Sequence, residues 1–363
     1  MDIRLSVVML SETKNRPLTV AVVGATGLVG DTMMRLLEER EFPVGELRPL
    51  ASRADGREVT FAGRPIAVRE AAPAAFEGAD LCLFSAGAEV SRQLAPEAVR
   101  CGALVVDNSA QWRMAEEVPL VVVDVNSEDA AEHEGIIANP NCSTMQLVPL
   151  LRALQDGAGL ERVIVDTYQA VSGTGADAVS ELEEQIRGHV HGKQPEPRVY
   201  PHRIGFNALP EIDAFLDDGY TKEEWKVIHE SRKILHLPDL PLSCTAVRVP
   251  VFYSHSEAVH VDTQRPITPA QARQLFAALP GVLVVDDPPA HLYPLATEAA
   301  GRDEIFVGRV RSDVSRSEGR GLAFWVVADN LRRGAATNAV QIAELAVRNG
   351  WLRPRSERQG LAT

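Results

Sequence analysis

The stretch LTVAVVGATGLVGDTMMRLLEER, from Leu18 to Arg40, constrains the fold of this 363-residue chain more than any other. A short β-branched run, VAVV, leads into Gly24, Gly27 and Gly30, and an amphipathic helical pattern follows. Glycines between a buried strand and a helix permit a tight turn and let the backbone approach a pyrophosphate closely. Its charge then rests on the helix N-terminus. The spacing is GxxGxxG rather than the commoner GxGxxG, and a plain tight strand–helix turn is the alternative. Further strands are read in ELRPLAS, ADLCLFSAG, ALVVDNS and LVVVDVN, with a helical stretch, EVSRQLAPEAVRCG, between two of them. Strands alternating with helices predict a Rossmann-like, doubly wound parallel sheet. Its ligand would lie at strand ends such as FSAG and DNS. An NAD-binding fold tends to carry an acidic residue at the end of the second strand, for the ribose 2′-hydroxyl. This chain has Ser52 and Arg53 there, in LASRADG, which suits a 2′-phosphate and favours NADP. A solvated loop arginine is the alternative.

Length favours two domains, at about 150 residues each. The net charge of −13 argues against nonspecific binding to nucleic acid or anionic membranes. An anionic substrate would need a locally basic pocket. Cys82, Cys101, Cys142 and Cys244 form no CxxC pair, so neither zinc nor a disulfide framework is expected. The HxH pair His189 and His191 has no third ligand motif beside it and reads as solvated loop. No apolar run reaches membrane-spanning length. MDIRLSVVML lacks a signal-peptide layout. The first 16 residues read as an extension, the polar tail after Trp351 as frayed, and the protein as cytoplasmic.

The second half supplies polar groups. NPNCSTMQ places Cys142 after an Asn-Pro turn. Leu147, Leu150, Leu151 and Leu154 then mark one apolar helical face. A thiol at a helix N-terminus can have its pKa lowered toward neutrality; a small residue filling a crevice is the bland reading. ERVIVDTYQAVSGTG starts as a buried strand, with Gln169 where it leaves the core. ADAVSELEEQIRG and TKEEWKVIHESRKIL read as helices. In the second, Glu223 and Lys226 lie three apart, as a surface pair would. CTAVRVPVFYSHSEAVHVDT reads as a strand pair joined by YSHSE. Its Arg248 either snorkels or meets an anion, and its His255 either acts or merely sits in the turn. LPGVLVVDD, EIFVGRVRSD and GLAFWVVADN are further strands, and GAATNAVQIAELAVRNG is a closing helix. This half predicts an α+β domain with a mixed or antiparallel sheet.

The chain resembles the aspartate-semialdehyde dehydrogenase family. The resemblance is carried by GATGLVG, DNSAQWRM, NPNCSTMQ, YQAVSGTGADA, HRIGFNALPEID, TKEEWKVIHESRKIL, RVPVFYSHSEAV and RRGAATNAVQIAELA, in family order from about Thr19 to Trp351. It implies reversible, NADPH-dependent reduction of L-aspartyl-4-phosphate to L-aspartate 4-semialdehyde, in biosynthesis of lysine, diaminopimelate, threonine and methionine. Cys142 matches the nucleophile that forms a thioester, and His255 the acid/base residue, a role suited to a group titrating near neutral pH. Gln169 matches the residue that positions substrate and catalytic pair. Arg248 matches the α-carboxylate binder, Glu223 the binder of the α-ammonium, and Arg113, Asn141 and Lys226 the phosphate site. Cofactor contacts fall on Gly24, Thr26, Gly27, Leu28, Val29, Ser172 and Gly173, and Asn338 lies in a segment that in the family returns to the nicotinamide. No metal is implied. The resemblance also implies an NADP-binding domain over 17–143, completed by the helix 336–351. A catalytic and dimerisation domain over 144–335 and a homodimer go with it.

One departure is LASRADG, shorter than the serine- and arginine-rich loop common in relatives, which bears on the group that meets the 2′-phosphate. The nearest rival is N-acetyl-γ-glutamyl-phosphate reductase. Its acylated nitrogen carries no charge and would not want Glu223. A catalytically silent paralogue is a second rival, of another class; it should have lost Cys142, Gln169, Arg248 or His255, and all four are present.

Overall fold

The structure, a computed structural model, describes residues 16–353 and 357. The expected N-terminal extension, apart from Arg16, and most of the tail lie outside the described residues. The chain divides into two compact units. One comprises the described residues up to Pro140 and those from Ala335 on; the other is Asn141–Gly334.

In the first unit, β1 (Leu18–Val23) enters α1 (Leu28–Glu39) through the glycine turn. There follow β2 (Val44–Ala51), a β3–β4 hairpin (Glu58–Phe61, Arg64–Ala67), β5 (Arg69–Glu70) and β6 (Leu81–Phe84). After these come α2 (Ala88–Arg100), β7 (Leu104–Asp107), the single turn α3 (Val123–Asn126) and β8 (Ile136–Ala138). The six-stranded sheet runs β5-β2-β1-β6-β7-β8, and every pairing in it is parallel. Side chains alternate across it. Leu18, Val20 and Val22 pack with α1 and the closing helix Asn338–Asn349, while Ala21 and Val23 pack with Ala95 and Ala98 of α2. Helices thus cover both faces, as a doubly wound sheet requires. The chain leaves β1 for β2 on one side and crosses back to β6 on the other, so a topological switch point lies between the ends of β1 and β6.

LVVVDVN is not a strand. Val122 N–H donates to Asn126 Oδ1 at 2.9 Å, and Val123 N–H donates to Asn338 Oδ1 at 3.0 Å. These side chains capture the polar groups that a ladder would need, and the run curls into α3. The place beside β7 goes to Ile136–Ala138, a run too short to stand out in sequence.

The second unit begins with α4 (Cys142–Ala158) and β9 (Leu160–Gln169). It continues through α5 (Ala176–Val190), α6 (Lys222–Leu235), β10 (Leu242–Arg248), β11 (His255–Thr263) and α7 (Pro269–Ala277). β12 (Val282–Val284), α8 (Ala296–Ala299), β13 (Ile305–Ser312) and β14 (Gly321–Ala328) complete it. Its sheet, β10-β9-β11-β14-β13-β12, is mixed. The segment read as a hairpin is none: β10 and β11 lie on opposite sides of β9, parallel and antiparallel to it. The link Val249–Ser254 crosses over the end of β9 rather than turning back on itself. Nor are His189 and His191 loop residues; they occupy the last turn and the C-cap of α5, both exposed.

Candidate active site

In the first unit the glycines have steric reasons. A Cβ at Gly24, where φ is +88°, would stand 2.3 Å from the carbonyl oxygen of Ser85 at the end of β6. One at Gly30 would stand 2.2 Å from the carbonyl oxygen of Gly24. Gly27 is the N-cap of α1, and no side chain caps that helix, so its first N–H groups face outward at the switch point. A turn of this shape can take a pyrophosphate, and Thr26, Gly27, Leu28 and Val29 lie in it. Ser52 and Arg53 are exposed at the end of β2. Arg113 is buried, with its guanidinium donating to the carbonyl oxygens of Asn139 at 2.9 Å and Asn108 at 2.6 Å. Asn338 is fully buried and already employed: its amide donates to Val121 O and Asn139 Oδ1, at 2.8 and 2.7 Å.

In the second unit, Cys142 is the first residue of α4 and half-buried. Asn141 caps the helix, its Oδ1 accepting from Ser143 N–H at 2.9 Å and Thr144 N–H at 3.4 Å. Replacing such a cap by alanine typically costs about 1 kcal/mol. The backbone N–H of Asn141 donates to Glu230 at 2.6 Å, and its Nδ2 to Glu223 at 2.8 Å. The position of Cys142 is therefore set by a helix start and by two acids of α6.

Arg248 and Gln169 are register partners at the ends of β10 and β9. His255 opens β11 one step beyond the Ser256–Tyr168 pair, which places it across from Gln169. The three form one cross-strand row on the helix-covered face, each at most 5% exposed. Gln169 Nε2 reaches Ser143 Oγ at 3.0 Å and Glu223 Oε1 at 3.2 Å. The peptide of Ala170 joins the other two: its N–H donates to His255 Nδ1 at 3.0 Å, and its carbonyl accepts from Arg248 Nη1 at 2.8 Å. Gly173 lies against them, since a Cβ there would meet Arg248 Nη1 at 3.0 Å and His255 Nε2 at 3.2 Å. Ser172, also buried, is engaged with the side chain of Asn330, 3.2 Å from its Oδ1.

Glu223 and Lys226 are no surface pair. Glu223 is 5% exposed, and Lys226 Nζ lies 3.1 Å from it and 2.8 Å from Asp213. Burial pushes the Glu223 pKa up, but the Lys226 charge and the Asn141 and Gln169 amides outweigh it, so the carboxyl is held below its usual range. His255 is shifted as well. Complete burial, with the Arg248 guanidinium adding to it, pushes its pKa well below that of an ordinary histidine. Burial therefore favours the neutral ring. Because Nδ1 accepts a backbone N–H, its proton sits on Nε2, which has no protein partner. In that form Nε2–H is open to donate to a substrate oxygen.

Sequence reading missed Ser143, Glu230, Asn330 and Gly334. A signal existed for Glu230: it follows Glu223 by seven residues, on the same helical face as the buried Val227 and Ile234. Gly334 abuts Cys142, where a Cβ would stand 2.9 Å from the cysteine Cβ. Nothing local in the sequence announces that contact. Among the described residues no cluster of metal-ligating side chains occurs, and no helix is long and apolar enough to cross a membrane.

A parallel nucleotide-cradle sheet, followed by a mixed-sheet unit with a cysteine at a helix start, is the layout of a semialdehyde dehydrogenase. Residues 19–133 match the family model described as semialdehyde dehydrogenase, NAD binding domain, and residues 151–333 that of the dimerisation domain. Aspartate-semialdehyde dehydrogenase of Aquifex aeolicus is 51% identical over 92% of this chain and 99% of its own length. That of Bacillus subtilis is 49% identical over 91% and 97%. The crystal structure of aspartate semialdehyde dehydrogenase II from Vibrio cholerae, complexed with ASA, is 44% identical. It superposes with a TM-score of 0.89, covering 92% of this chain and 99% of that one. The chain belongs to the aspartate-semialdehyde dehydrogenase family, a family of oxidoreductases with a nicotinamide-nucleotide-binding domain.

Proposed function

We infer that the protein reversibly reduces L-aspartyl-4-phosphate to L-aspartate 4-semialdehyde, with NADPH, through a thioester on Cys142. The observation that carries this reading is the buried row Arg248–Gln169–His255, with Glu223 and the start of α4 bound to it through Gln169. Arg248 offers a guanidinium to the α-carboxylate, and Glu223 a held-ionised carboxylate to the α-ammonium. The same carboxylate disfavours the N-acetylated glutamyl substrate, whose nitrogen is uncharged. Lys226, Asn141 and Arg113 are assigned to the phosphate; Lys226 must exchange part of its pairing with Asp213 to take it. ASA is the ligand of the Vibrio cholerae relative, and we place the semialdehyde in the site of the second unit.

The Cys142 thiolate, favoured by the N-terminus of α4, attacks the acyl carbon. The C–S bond forms, the C–O bond to phosphate breaks, the departing phosphate takes a proton from solvent, and a thioester remains. The glycine cradle fits the cofactor's pyrophosphate, with Gly24, Thr26, Gly27, Leu28 and Val29 around it; Ser52 and Arg53 are assigned to the 2′-phosphate. Ser172, Gly173 and Asn338 follow by family resemblance. When bound, the nicotinamide supplies the hydride. The resulting thiohemiacetal oxyanion collapses, breaks the C–S bond and returns the thiolate. His255 donates a hydrogen bond from Nε2–H to that oxyanion and remains neutral throughout, because collapse needs no proton at this atom.

The domain assignment follows: NADP on residues 17–143 with 336–351, catalysis and dimerisation on 144–335. A homodimer is supported by the outward face of the mixed sheet. There Tyr168 and Trp325, 5.4 Å between ring centroids, flank Ser256 and Ala258. The setting is cytoplasmic amino-acid biosynthesis, toward lysine, diaminopimelate, threonine and methionine. The test is the reverse reaction with aspartate semialdehyde, phosphate and NADP. A phosphate-dependent rise in NADPH absorbance, abolished by alkylating Cys142, supports the reading; no rise from folded protein refutes it.

A further inference from the structure

Glu257 is on β11 two residues past His255, so both side chains share the helix-covered face. It is completely buried. Its register partners are Thr167 on β9 and Val326 on β14, and Thr167 in turn pairs with Ala246 on β10. All are buried, so this row lies directly behind Arg248–Gln169–His255. Neither carboxyl oxygen of Glu257 has a hydrogen-bond partner, and the side-chain nitrogen of Gln146, also buried, has none either. Gln146 is the neighbouring polar side chain that acts on this carboxyl. Position 146 follows Cys142 by four residues, one turn along the same face of α4.

An ionised carboxylate here would be a buried charge without a counter-ion. Lys226 is engaged with Glu223 and Asp213, and Arg248 with Ala170. The nearby Cys244 is itself a buried thiol whose pKa is raised. Burial pushes the Glu257 pKa well above the usual carboxyl value. A carboxylic acid and a primary amide each offer one donor and one acceptor in the same plane, so they complete each other in two hydrogen bonds.

We propose that Glu257 is a positioning residue that serves as a neutral carboxylic acid, paired with the Gln146 amide and so clamping the first turns of α4 to the strand that bears His255. Its O–H donates to the Gln146 carbonyl oxygen and its C=O accepts from the Gln146 amide. The clamp couples the nucleophile's helix to the oxyanion donor's strand, and it rests on the reading of Cys142 and His255 given above.

The test combines infrared spectroscopy, the rate of Cys142 alkylation by iodoacetamide, and steady-state kinetics of the wild type, Glu257→Gln and Glu257→Met. The wild type at neutral pH should show the carbonyl stretch of a protonated carboxylic acid, above the amide I band, and Glu257→Gln should lack it. Glu257→Gln, which reproduces the donor–acceptor pair, should retain the alkylation rate and kcat. Glu257→Met should lower both by roughly tenfold while the KM for semialdehyde stays near wild type. An absent band overturns the proposal, as does a Glu257→Met protein with wild-type rates or a Glu257→Gln protein as slow as Glu257→Met. If Glu257→Met does not fold, the band and the Glu257→Gln rates decide. A wild type alkylated normally but inert toward aspartate semialdehyde counts against the proposed function, and the band and the alkylation rates still decide the role of Glu257.

Discussion

Gly334→Ala is a small perturbation with a large expected effect. Gly334 lies in the π-helical stretch Arg332–Thr337, its N–H bonded to Asp329 O at 2.9 Å. An added Cβ would stand 2.9 Å from Cys142 Cβ, 3.3 Å from its Cα and 3.4 Å from its carbonyl oxygen. Carbon atoms rest at about 3.5–4.0 Å, so the first contact must open by about 0.6–1.1 Å. The obstacle is the root of a side chain at a capped helix start, which cannot swing aside as a flexible tip would. Overpacking of this kind costs about 1–3 kcal/mol, and a 1 Å misplacement of a reacting group can cost about 10²-fold. The expected outcome is a folded protein whose kcat falls by one to two orders of magnitude, roughly, with the KM for semialdehyde little changed. The rate of Cys142 alkylation should move with kcat. The assay is the phosphate-dependent reverse reaction beside iodoacetamide kinetics and a melting curve. Wild-type kcat and alkylation in Gly334→Ala would show that the helix start yields freely, and the steric argument would fail.

Three other predictions follow from the same geometry. Because burial holds His255 neutral, kcat/KM should show no histidine limb between about pH 6 and 7.5; His255→Ala should cost about 10²–10³ in kcat, and His255→Gln, which keeps an N–H, less. A limb at the ordinary histidine value would refute the neutral-donor role. Arg248→Lys should raise the KM for semialdehyde, since a point charge replaces a fork; an unchanged KM would remove the α-carboxylate from that residue. Glu257, with its pKa raised in the folded state, contributes stability that is full below its unfolded value near 4.5 and is lost as pH rises toward the folded value. The melting temperature of Glu257→Gln should therefore gain on the wild type as pH rises above about 4.5, and a pH-independent difference would count against a protonated acid.

The sequence alone determined the elements whose cause is local. The β1–α1 turn is legible because glycines interrupt a β-branched run just before a helical period, and its purpose follows from sterics within a few residues. The position of Cys142 is legible for the same reason: an Asn-Pro turn, a capping residue and a leucine face lie within sixteen residues of one another. Only the tertiary structure decided what depends on register between distant strands. Arg248, Gln169 and His255 form a row because β10 and β11 flank β9, whereas a local reading pairs β10 with β11 as a hairpin. LVVVDVN has the composition of a strand, yet Asn338, more than 200 residues on, takes its hydrogen bond. The lowered pKa of His255, the buried pairing of Glu223 with Lys226 and the orphaned carboxyl of Glu257 are consequences of desolvation. That is a property of what surrounds a side chain in space, and residue order does not carry it.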